Sequence, residues 1–324
     1  MSQETRDTSS QAVGLDRGTI IDPYPRYDYL RATDPVHWNE GLRAWLLTRY
    51  ADVASALRDP SLSADRMGAL MGQLPEAAQE KVRPLFRIFS GMMLMSDPPD
   101  HTRLRALSNK AFTPRVVERM REDIQTVVDS LLDEVEQKGE MDVIRDIAFP
   151  LPSTVIAEML GIRPEDREQF KKWSADITSF LGNVRVVAET VGSAQKSSLE
   201  LSEYLKDVIA QLRVEPKENL LSALVAVEEH GDTFSEEELY SMCILLIFAG
   251  HETTTNLIGN GMLALLQNPD QMQKLRDNPS LIVSAVEELL RYDSPIQTTS
   301  RIALEHIEIG GKQIKKGDNV SLIM

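Results

Sequence analysis

A polar cluster interrupts one of the most apolar stretches of the chain. The run CILLIF is followed directly by AGHETTT at positions 249–255. Gly250 costs about 1 kcal/mol relative to alanine in a helix interior, and Thr253 is placed to bond back to the carbonyl of Ala249 and bend the helix. Glu252 can act as an acid or base, and the Thr253 hydroxyl can relay a proton. The cluster predicts a distorted helical turn beside a small ligand, although a packed helix turning towards solvent explains the same residues.

Three better-known motifs are not matched. The pair HE at 251–252 begins the zinc-protease pattern H-E-x-x-H, but Thr255 stands where the second histidine ligand is required. The sequence GGK at 310–312 lacks the first glycine of a phosphate loop, because His306 occupies that position, and no Ser or Thr follows the lysine. The serine-hydrolase pattern G-x-S-x-G is absent as well. Zinc-dependent hydrolysis is therefore excluded as an interpretation of the cluster.

Two cationic side chains share one face of a predicted helix. His101 and Arg105 are four residues apart and lie on one face, whereas Arg103 points about 200° away from His101. Two cationic donors on one face suit an anionic ligand such as a carboxylate. Solvated surface charge explains the same spacing, so the pattern alone leaves both interpretations open.

Two weaker features lie nearer the C-terminus. Glu288 and Arg291 are three residues apart in EELLRY and can pair on one side of a helix. Such pairs are common, so this one is weak by itself. Arg301 begins a predicted strand just after the break at Pro295.

The polar cluster lies in the middle of a long predicted helix, 235–268. Ser235 followed three residues later by Glu238 forms a capping box at its start, and Asn268-Pro269 ends it. At 1.5 Å per residue such a helix is ~51 Å long. It is long enough to cross the whole molecule and to carry the cluster at its centre.

Helical periodicity dominates after residue 100, and strands are predicted only near the two ends of the sequence. Helices are predicted at 25–33, 50–58, 101–112, 115–138, 150–160, 165–181, 187–213, 235–268 and 281–292. Strands are predicted at 36–38, 44–48, 301–309, 312–315 and 319–324, with a glycine turn at 310–311. The segment 63–96 is expected to be a long loop with short helices. The fold class is therefore mainly α with small β-sheets.

Composition narrows the classes of function. Hydrophobic residues make up 42% of the 324 residues, which is ordinary for a folded protein. The net charge of −15 argues against nucleic acid as a partner. We expect no signal peptide and no membrane span, and one cysteine cannot form an internal disulfide, so we expect a cytoplasmic protein. Residues 1–18 are expected to be a disordered tail, and 19–324 a single domain.

Four motifs, taken in order, resemble those of the cytochrome P450 family, specifically its soluble bacterial members. They are D-P-P-x-H-T-R-L-R at 97–105, A-G-x-[DE]-T-T at 249–254, E-x-x-R at 288–291, and the strand arginine Arg301. The resemblance runs from about Asp22 to the last residue. It implies a cytochrome P450-like fold and a haem b cofactor.

The resemblance also implies a role for each motif. His101, Arg105 and Arg301 would hold the haem propionates. Ala249 and Gly250 would line the haem, with Gly250 opening the pocket for dioxygen, and Glu252 and Thr253 would deliver protons during oxygen activation. Glu288 and Arg291 would be structural.

The substrate pocket is assigned in the same way. Segments 63–94 and 180–187 would form its roof. The residues that would face the substrate are Leu245, Phe248, Ile296, Gln297 and Thr299.

The sequence departs from the family pattern in one respect. The family needs a proximal cysteine thiolate in a loop F-x-x-G-x-x-x-C-x-G, and this sequence reaches GDNVSLIM without such a loop. Cys243 lies seven residues before Gly250, ~10 Å along the distal helix, so we expect it to be a small buried hydrophobe. We therefore expect a fragment that lacks the haem-thiolate loop and the following helix, and we assign no metal ligand.

Two classes of function follow. The first is a monomeric haem-thiolate monooxygenase that hydroxylates an apolar small molecule with dioxygen. Its electrons would come from a ferredoxin or flavodoxin and an NAD(P)H-dependent reductase. The alternative is a catalytically inactive fragment, or a non-catalytic binder of haem or of an apolar small molecule.

Overall fold

The structure is a computed structural model that describes residues 22–181, 188–227 and 231–324. The predicted tail at 1–18 and part of the predicted roof, 182–187, lie outside the described residues. The chain divides into two compact units. One comprises the residues up to Ala69 together with Ile296–Met324, and the other is Leu70–Pro295. The single domain expected for 19–324 stays a prediction.

The helices occupy most of the chain, so the prediction of a mainly α protein with small sheets is confirmed. They are α1 (Tyr24–Thr33), α2 (Tyr50–Ala56), α3 (Arg66–Gln73), α4 (Glu76–Ser90), α5 (Asp100–Ala111), α6 (Pro114–Lys138), α7 (Pro150–Met159), α8 (Arg167–Leu181), α9 (Ala188–Val214), α10 (Leu220–Ala226), α11 (Glu236–Gln267), α12 (Pro269–Asp277) and α13 (Ile282–Tyr292). Short 3₁₀ turns lie at Met93–Met95, Pro164–Asp166 and Pro279–Leu281, and a π-helical turn at Val143–Ala148.

The strands belong to the first unit. They are β1 (Val36–Asn39), β2 (Ala44–Leu47), β3 (Leu62–Ser63), β4 (Thr298–Ala303), β5 (Ile307–Ile309), β6 (Lys312–Ile314) and β7 (Asn319–Ile323). Five of them form one sheet in the order β1-β2-β7-β4-β3, in which β7 runs parallel to β2 and antiparallel to β4. The last strand of the sequence is therefore the central strand of the sheet.

The core of the first unit forms on one face of this sheet. Alternating residues of β7, Val320 and Leu322, are fully buried, as expected from the period of two in a strand. They pack with Leu47 of β2 and Ala303 of β4. Beside the sheet, β5 and β6 form the predicted hairpin, in which Gly310 and Gly311 both have positive φ.

The second unit is built around α11. The predicted capping box is present: Ser235 Oγ accepts from the N–H of Glu238 at 3.2 Å, and Glu238 Oε2 accepts from the N–H of Ser235 at 2.8 Å. The helix runs for 32 residues and ends at Asn268. Most of the residues between Leu239 and His251 are buried, which makes α11 the central element of this unit. No helix among the described residues is long and apolar enough to span a membrane.

Candidate functional site

The polar cluster lies on α11 in the second unit. Thr253 Oγ1 donates to the carbonyl of Ala249 at 2.6 Å, so the predicted hydrogen bond to the preceding turn is present. Ala249 is exposed and Thr253 is partly exposed, so this face of the helix is accessible. Glu252 is half-buried, and burial raises the pKa of its carboxyl group. An acid that keeps its proton to higher pH therefore stands next to a hydroxyl group.

Gly250 lies against the neighbouring helix α7. A Cβ atom added at Gly250 would lie 2.9 Å from Cδ1 of Ile156 and 3.3 Å from its Cγ1. The glycine thus allows a close approach of α11 to α7. Its predicted role in opening a pocket for dioxygen stays a prediction.

His251 points into the core beside the cluster. Its side chain is fully buried, its Nδ1 lies 2.9 Å from the Ser174 hydroxyl of α8, and its ring packs against Phe149 at 4.6 Å. Burial lowers the pKa of His251, so the ring is neutral at pH 7. One turn further, Thr255 Oγ1 donates to the carbonyl of Ala148 at 2.9 Å. These contacts hold the middle of α11 against two neighbouring segments.

The second predicted group lies on α5. His101 is partly exposed and Arg105 is exposed. Within the described part of the chain, neither side chain makes a hydrogen bond or an ion pair. Arg103 points elsewhere, as the helical spacing predicts, and its guanidinium donates to Glu238 at the start of α11 and to Asp232. The two residues expected to bind an anion are therefore separate from the arginine that anchors the helix.

The contact between Arg103 and Glu238 leads to a stability prediction. Burial alone would raise the pKa of Glu238, but the hydrogen bonds from Arg103 and from the N–H of Ser235 lower it below the ordinary 4.5. Because the folded-state pKa is lowered, the stabilisation is present above pH 4.5 and is lost as the pH falls through the folded value. Glu238→Gln should cost about 1 kcal/mol of unfolding free energy at pH 7.

Urea unfolding at pH 7 and at pH 3 measures this effect. Glu237→Gln is the matched control, since Glu237 pairs with Arg87 at 2.6 Å but both side chains are well exposed, so its loss should be hardly measurable. An equal loss for both variants, or a loss at Glu238 that is as large at pH 3 as at pH 7, would contradict a stabilising role of the ionised Glu238.

The predicted pair on α13 is formed. Arg291 donates to both carboxylate oxygens of Glu288 at 2.7 Å, with side chains 69% and 57% exposed. On the same helix Val283 and Val286 are exposed. A role of Glu288 and Arg291 in holding the core together stays a prediction.

The remaining predicted residues of the first unit lie on or just before β4. Arg301 and Thr299 are two residues apart on one face of the strand, and both are partly exposed. Gln297 donates to the Tyr24 hydroxyl at 3.3 Å, and its carbonyl accepts from the N–H of Met324. Ile296 is 43% exposed. Whether these residues contact a substrate stays a prediction.

The remaining α11 residues differ in exposure. Leu245 is buried and Phe248 is partly exposed. Cys243 is fully buried, and burial raises the pKa of its thiol to about 12. The thiol is therefore protonated at pH 7, and by helical geometry it lies roughly 80–120° around the helix from Ala249 and Thr253. It is neither ionised nor on their face.

Two roles seen in the structure were not predicted from the sequence. His251 is a buried link between helices, whereas the sequence offered it only as a zinc ligand without a second histidine. Arg66 is partly buried next to another cation, Arg301. Little in the sequence indicates either role. An arginine after a short strand is ordinary.

Comparison with known proteins decides the family. The family model described as Cytochrome P450 matches residues 69–324. The chain belongs to the cytochrome P450 family. A curated relative, the biotin biosynthesis cytochrome P450 of Bacillus subtilis, is 42% identical over 94% of this chain and 75% of its own length. The vitamin D(3) 25-hydroxylase of Pseudonocardia autotrophica is 43% identical over 97% of this chain and 76% of its own length.

A solved P450 structure agrees in fold. The crystal structure of P450BioI in complex with acyl carrier protein ligated to hexadec-9Z-enoic acid superposes with a TM-score of 0.86, at 40% identity. The match covers 94% of this chain and 77% of that chain. Cytochromes P450 are haem monooxygenases of organic substrates that use dioxygen and redox partners. The P450 assignment thus confirms the fold and the enzyme class predicted from the four motifs.

Proposed function

We propose that this P450 chain forms the distal and carboxylate-binding parts of a site that inserts oxygen into an apolar small molecule. The observation that carries the proposal is the face of α11 at Ala249, Glu252 and Thr253. There an acid with a raised pKa and a hydroxyl group lie on an accessible face of α11, just after its most buried stretch. Burying an acid is unfavourable for stability, which supports a functional reason for it.

The residues present fit haem b in part. His101, Arg105 and Arg301 are cationic donors suited to its two propionates. Ala249 is exposed on α11 and has a small side chain, so the flat face of a macrocycle would fit beside it. When bound, haem supplies the binding and reductive activation of dioxygen. The single cysteine does not fit the thiolate role, because Cys243 is fully buried and lies on another side of α11 from Ala249 and Thr253. Cys243 would therefore not supply the thiolate.

Two residues of α11 would donate and relay protons at this site. Because burial raises the pKa of Glu252, its carboxyl group keeps its proton to higher pH than an ordinary glutamate, and it can pass that proton to the neighbouring Thr253 hydroxyl. The hydrogen bond from Thr253 Oγ1 to the Ala249 carbonyl, 2.6 Å, fixes the rotamer of that hydroxyl. Leu245 and Phe248 would provide apolar surface and exclude water.

The partners proposed are an apolar substrate, dioxygen, and a ferredoxin or flavodoxin with its NAD(P)H-dependent reductase. Leu245, Phe248 and Ile296 support an apolar ligand, and Gln297 and Thr299 allow polar contacts. A relative named as a vitamin D(3) 25-hydroxylase and a P450BioI structure with hexadec-9Z-enoic acid on acyl carrier protein support substrates rich in hydrocarbon. A monomer in the cytoplasm remains the expectation from the sequence.

The second candidate is a haem binder without oxygen insertion. The burial of Cys243 favours it, because a haem bound through its carboxylates alone lacks the electron-donating thiolate. The two candidate functions differ in where the oxygen atoms of dioxygen go: into the organic product for the first, and only into water or peroxide for the second.

Isotopically labelled dioxygen distinguishes the two candidates. The haem-loaded chain is supplied with a ferredoxin, its reductase, NADPH and hexadecanoic acid or testosterone as probes. Parallel reactions contain ethanethiol as an external thiolate. One labelled oxygen atom in the product of the thiol-containing reaction supports oxygen insertion. Label found only in water or peroxide in both reactions would favour the non-catalytic binder.

The cationic face of α5 leads to a binding prediction. Removing one charge-assisted hydrogen bond should weaken haem binding about tenfold, so we expect that loss for His101→Gln and for Arg105→Gln. The measurement is a Soret titration of the full chain. Lys110→Gln removes an exposed cation from the end of the same helix and should leave the affinity unchanged. Equal effects of all three variants would indicate a general charge effect.

A further inference from the structure

A buried histidine directly precedes the two residues of α11 that would donate and relay protons. His251 is 1% exposed, and its partner Ser174 on α8 is also 1% exposed. Nδ1 of His251 lies 2.9 Å from Oγ of Ser174, and the ring of Phe149 packs against the imidazole at a centroid distance of 4.6 Å. Glu252 and Thr253 have a place in the proposed proton delivery, whereas His251 has none.

The contact between His251 and Ser174 is polar although it lies in the core. A phenylalanine or leucine would fill the space without a polar group to satisfy. Burying an imidazole and a hydroxyl group is unfavourable unless the two bond to each other. Because a hydrogen bond requires a limited range of angles, this pair also fixes the direction of both side chains, which apolar contact alone would not do. The pair therefore supplies orientation in addition to packing.

The helix is weak on its own at this turn. Gly250 is unfavourable in a helix interior, and the hydroxyl group of Thr253 bonds to the backbone of the preceding turn at 2.6 Å. Contacts with neighbouring segments must therefore set the rotation of the turn. His251 provides one such contact on α8. Thr255, four residues further on the same face, provides another by donating to the carbonyl of Ala148 at 2.9 Å.

The rotation of this turn decides where the acid and the hydroxyl group point. At 100° per residue, Glu252 lies about 100° around α11 from His251, and Thr253 lies about 200° from it, on the opposite side. With His251 held against α8, Thr253 faces the accessible side, and Glu252 is half-buried between the core side and the accessible side. A turn that is free to rotate would move both groups together.

We propose that His251 is a positioning residue, whose hydrogen bond to Ser174 holds Glu252 and Thr253 in the orientation that proton delivery requires. The proposal rests on the proposed function and adds to it one residue on each of two helices. His251 acts only through its neighbours, since its ring is buried on the side of α11 away from Thr253.

The position of the Glu252 carboxyl group can be measured without haem. Burial raises its pKa, so Glu252→Gln should raise the Tm of the haem-free chain at pH 8 but not near pH 4. We expect Ser174→Ala to reduce this Tm gain to about half or less, because a turn without this anchor lets the carboxyl group reach water. A contact that only stabilises the fold would lower the Tm of the chain and leave the gain from Glu252→Gln unchanged.

Ser241→Ala is the matched control. Ser241 is buried on α11, and its Oγ donates to the carbonyl of Ile88 on α4 at 2.8 Å, so this variant also removes one buried hydroxyl contact between α11 and another helix. Ser241 lies about 15 Å along α11 from His251. We expect Ser241→Ala to lower the Tm of the chain but to keep the full gain from Glu252→Gln. Equal reductions of the gain in both serine variants would overturn the proposal.

A double-mutant cycle assigns the effect to the hydrogen bond itself. His251→Phe keeps an aromatic ring and removes the ring nitrogens, so it should reduce the Tm gain as Ser174→Ala does. The two changes combined should have no larger effect than either alone, since each removes the same contact. Additive reductions would show that the two residues act separately, which would contradict the proposal.

The haem-loaded chain gives the reaction readout and separates this proposal from the proposed function. With ethanethiol and the redox partners named above, Ser174→Ala should lower product per dioxygen about threefold and leave the KM for hexadecanoic acid unchanged. An unchanged Tm gain or an unchanged product ratio in Ser174→Ala overturns the positioning role and leaves oxygen insertion standing. If the unchanged chain inserts no oxygen, the proposed function is wrong, whereas a reduced Tm gain still supports the orientation of Glu252 by His251 and Ser174.

Discussion

Replacing Glu252 by glutamine should lower turnover about 100-fold while making the folded chain more stable at pH 8. The rate falls because glutamine cannot donate a proton, and loss of one acid–base group typically costs at least that factor. The stability rises because the folded chain no longer has to bury an ionised carboxylate. Opposite changes in activity and stability are the signature of a residue kept for function.

The pH dependence of stability follows from the raised pKa of Glu252. A group whose pKa is raised on folding contributes its full stabilisation below the unfolded value, here the ordinary 4.5, and loses it as the pH rises through the folded value. The unchanged chain and Glu252→Gln should therefore differ in Tm at pH 8 and converge near pH 4. Tm is measured on haem-free protein, so this readout does not depend on activity.

Glu252→Asp is the matched variant, because it keeps the acid and shortens its reach by one methylene. It should retain more turnover than the glutamine variant. Activity and stability that fall together in Glu252→Gln would show that the carboxyl group supports the fold instead.

Replacing Thr253 by alanine should separate dioxygen consumption from product formation. The hydroxyl that now donates to the Ala249 carbonyl is lost. Without it, the delivery of protons to the place where dioxygen would bind is no longer directed by a fixed hydroxyl group. We expect product per dioxygen consumed to fall about tenfold, less than for loss of the acid, because a water molecule can partly replace the hydroxyl. An oxygen electrode together with a peroxide assay measures the ratio.

Two variants make this result specific to the hydroxyl. Thr253→Ser keeps it and should retain most of the coupling. Thr254→Ala makes the same change one residue further, about 100° around the helix, and should behave like the unchanged protein. Equal loss of coupling in Thr253→Ala and Thr254→Ala would show that the motif acts through helix structure.

Long helices with clear ends could be predicted from the sequence. The capping box at Ser235 and Glu238 and the stop at Asn268 define α11 to within a residue, because side-chain caps are local signals. The glycine pair of the β5–β6 hairpin is equally local. Both features depend only on residues that are neighbours in the chain, so they can be predicted from the sequence alone.

Elements that depend on packing were predicted less well. The segment expected to be mostly loop contains α4, a 15-residue helix that continues across Pro84. Leu85 and Phe89 are fully buried there, and Phe89 stacks on Phe180 of α8. This tertiary packing offsets the loss of the hydrogen bond that the proline removes. It cannot be predicted from the pattern of neighbouring residues.

Short elements were missed or merged for a similar reason. The prediction did not include α10 or α12, although Pro269, interpreted only as the end of α11, is also the first residue of α12. The single strand predicted at 301–309 is two strands, since the chain leaves β4 at Ala303 and enters the hairpin at Ile307. Which sheet a strand joins is decided by distant partners.

In the candidate site, too, features within one helix could be predicted from the sequence, and features that depend on distant segments could not. The cluster on α11 and the His101–Arg105 spacing could be interpreted from the sequence because each lies on one helix. The approach of Arg66 to Arg301 could not, because it arises from pairing between strands that are more than 200 residues apart in the chain. Likewise, the close contact of Gly250 with Ile156 explains a helix glycine only once the two helices are seen together.

The most direct test of the account is the carbon monoxide difference spectrum of the reduced, haem-loaded chain, recorded beside that of Cys243→Ser. We expect both proteins to retain one haem and to give the same spectrum without a thiolate-type Soret band, because Cys243 is fully buried and lies on another side of α11 from Ala249 and Thr253. A thiolate-type band that disappears in Cys243→Ser, or a chain that retains no haem, would contradict it.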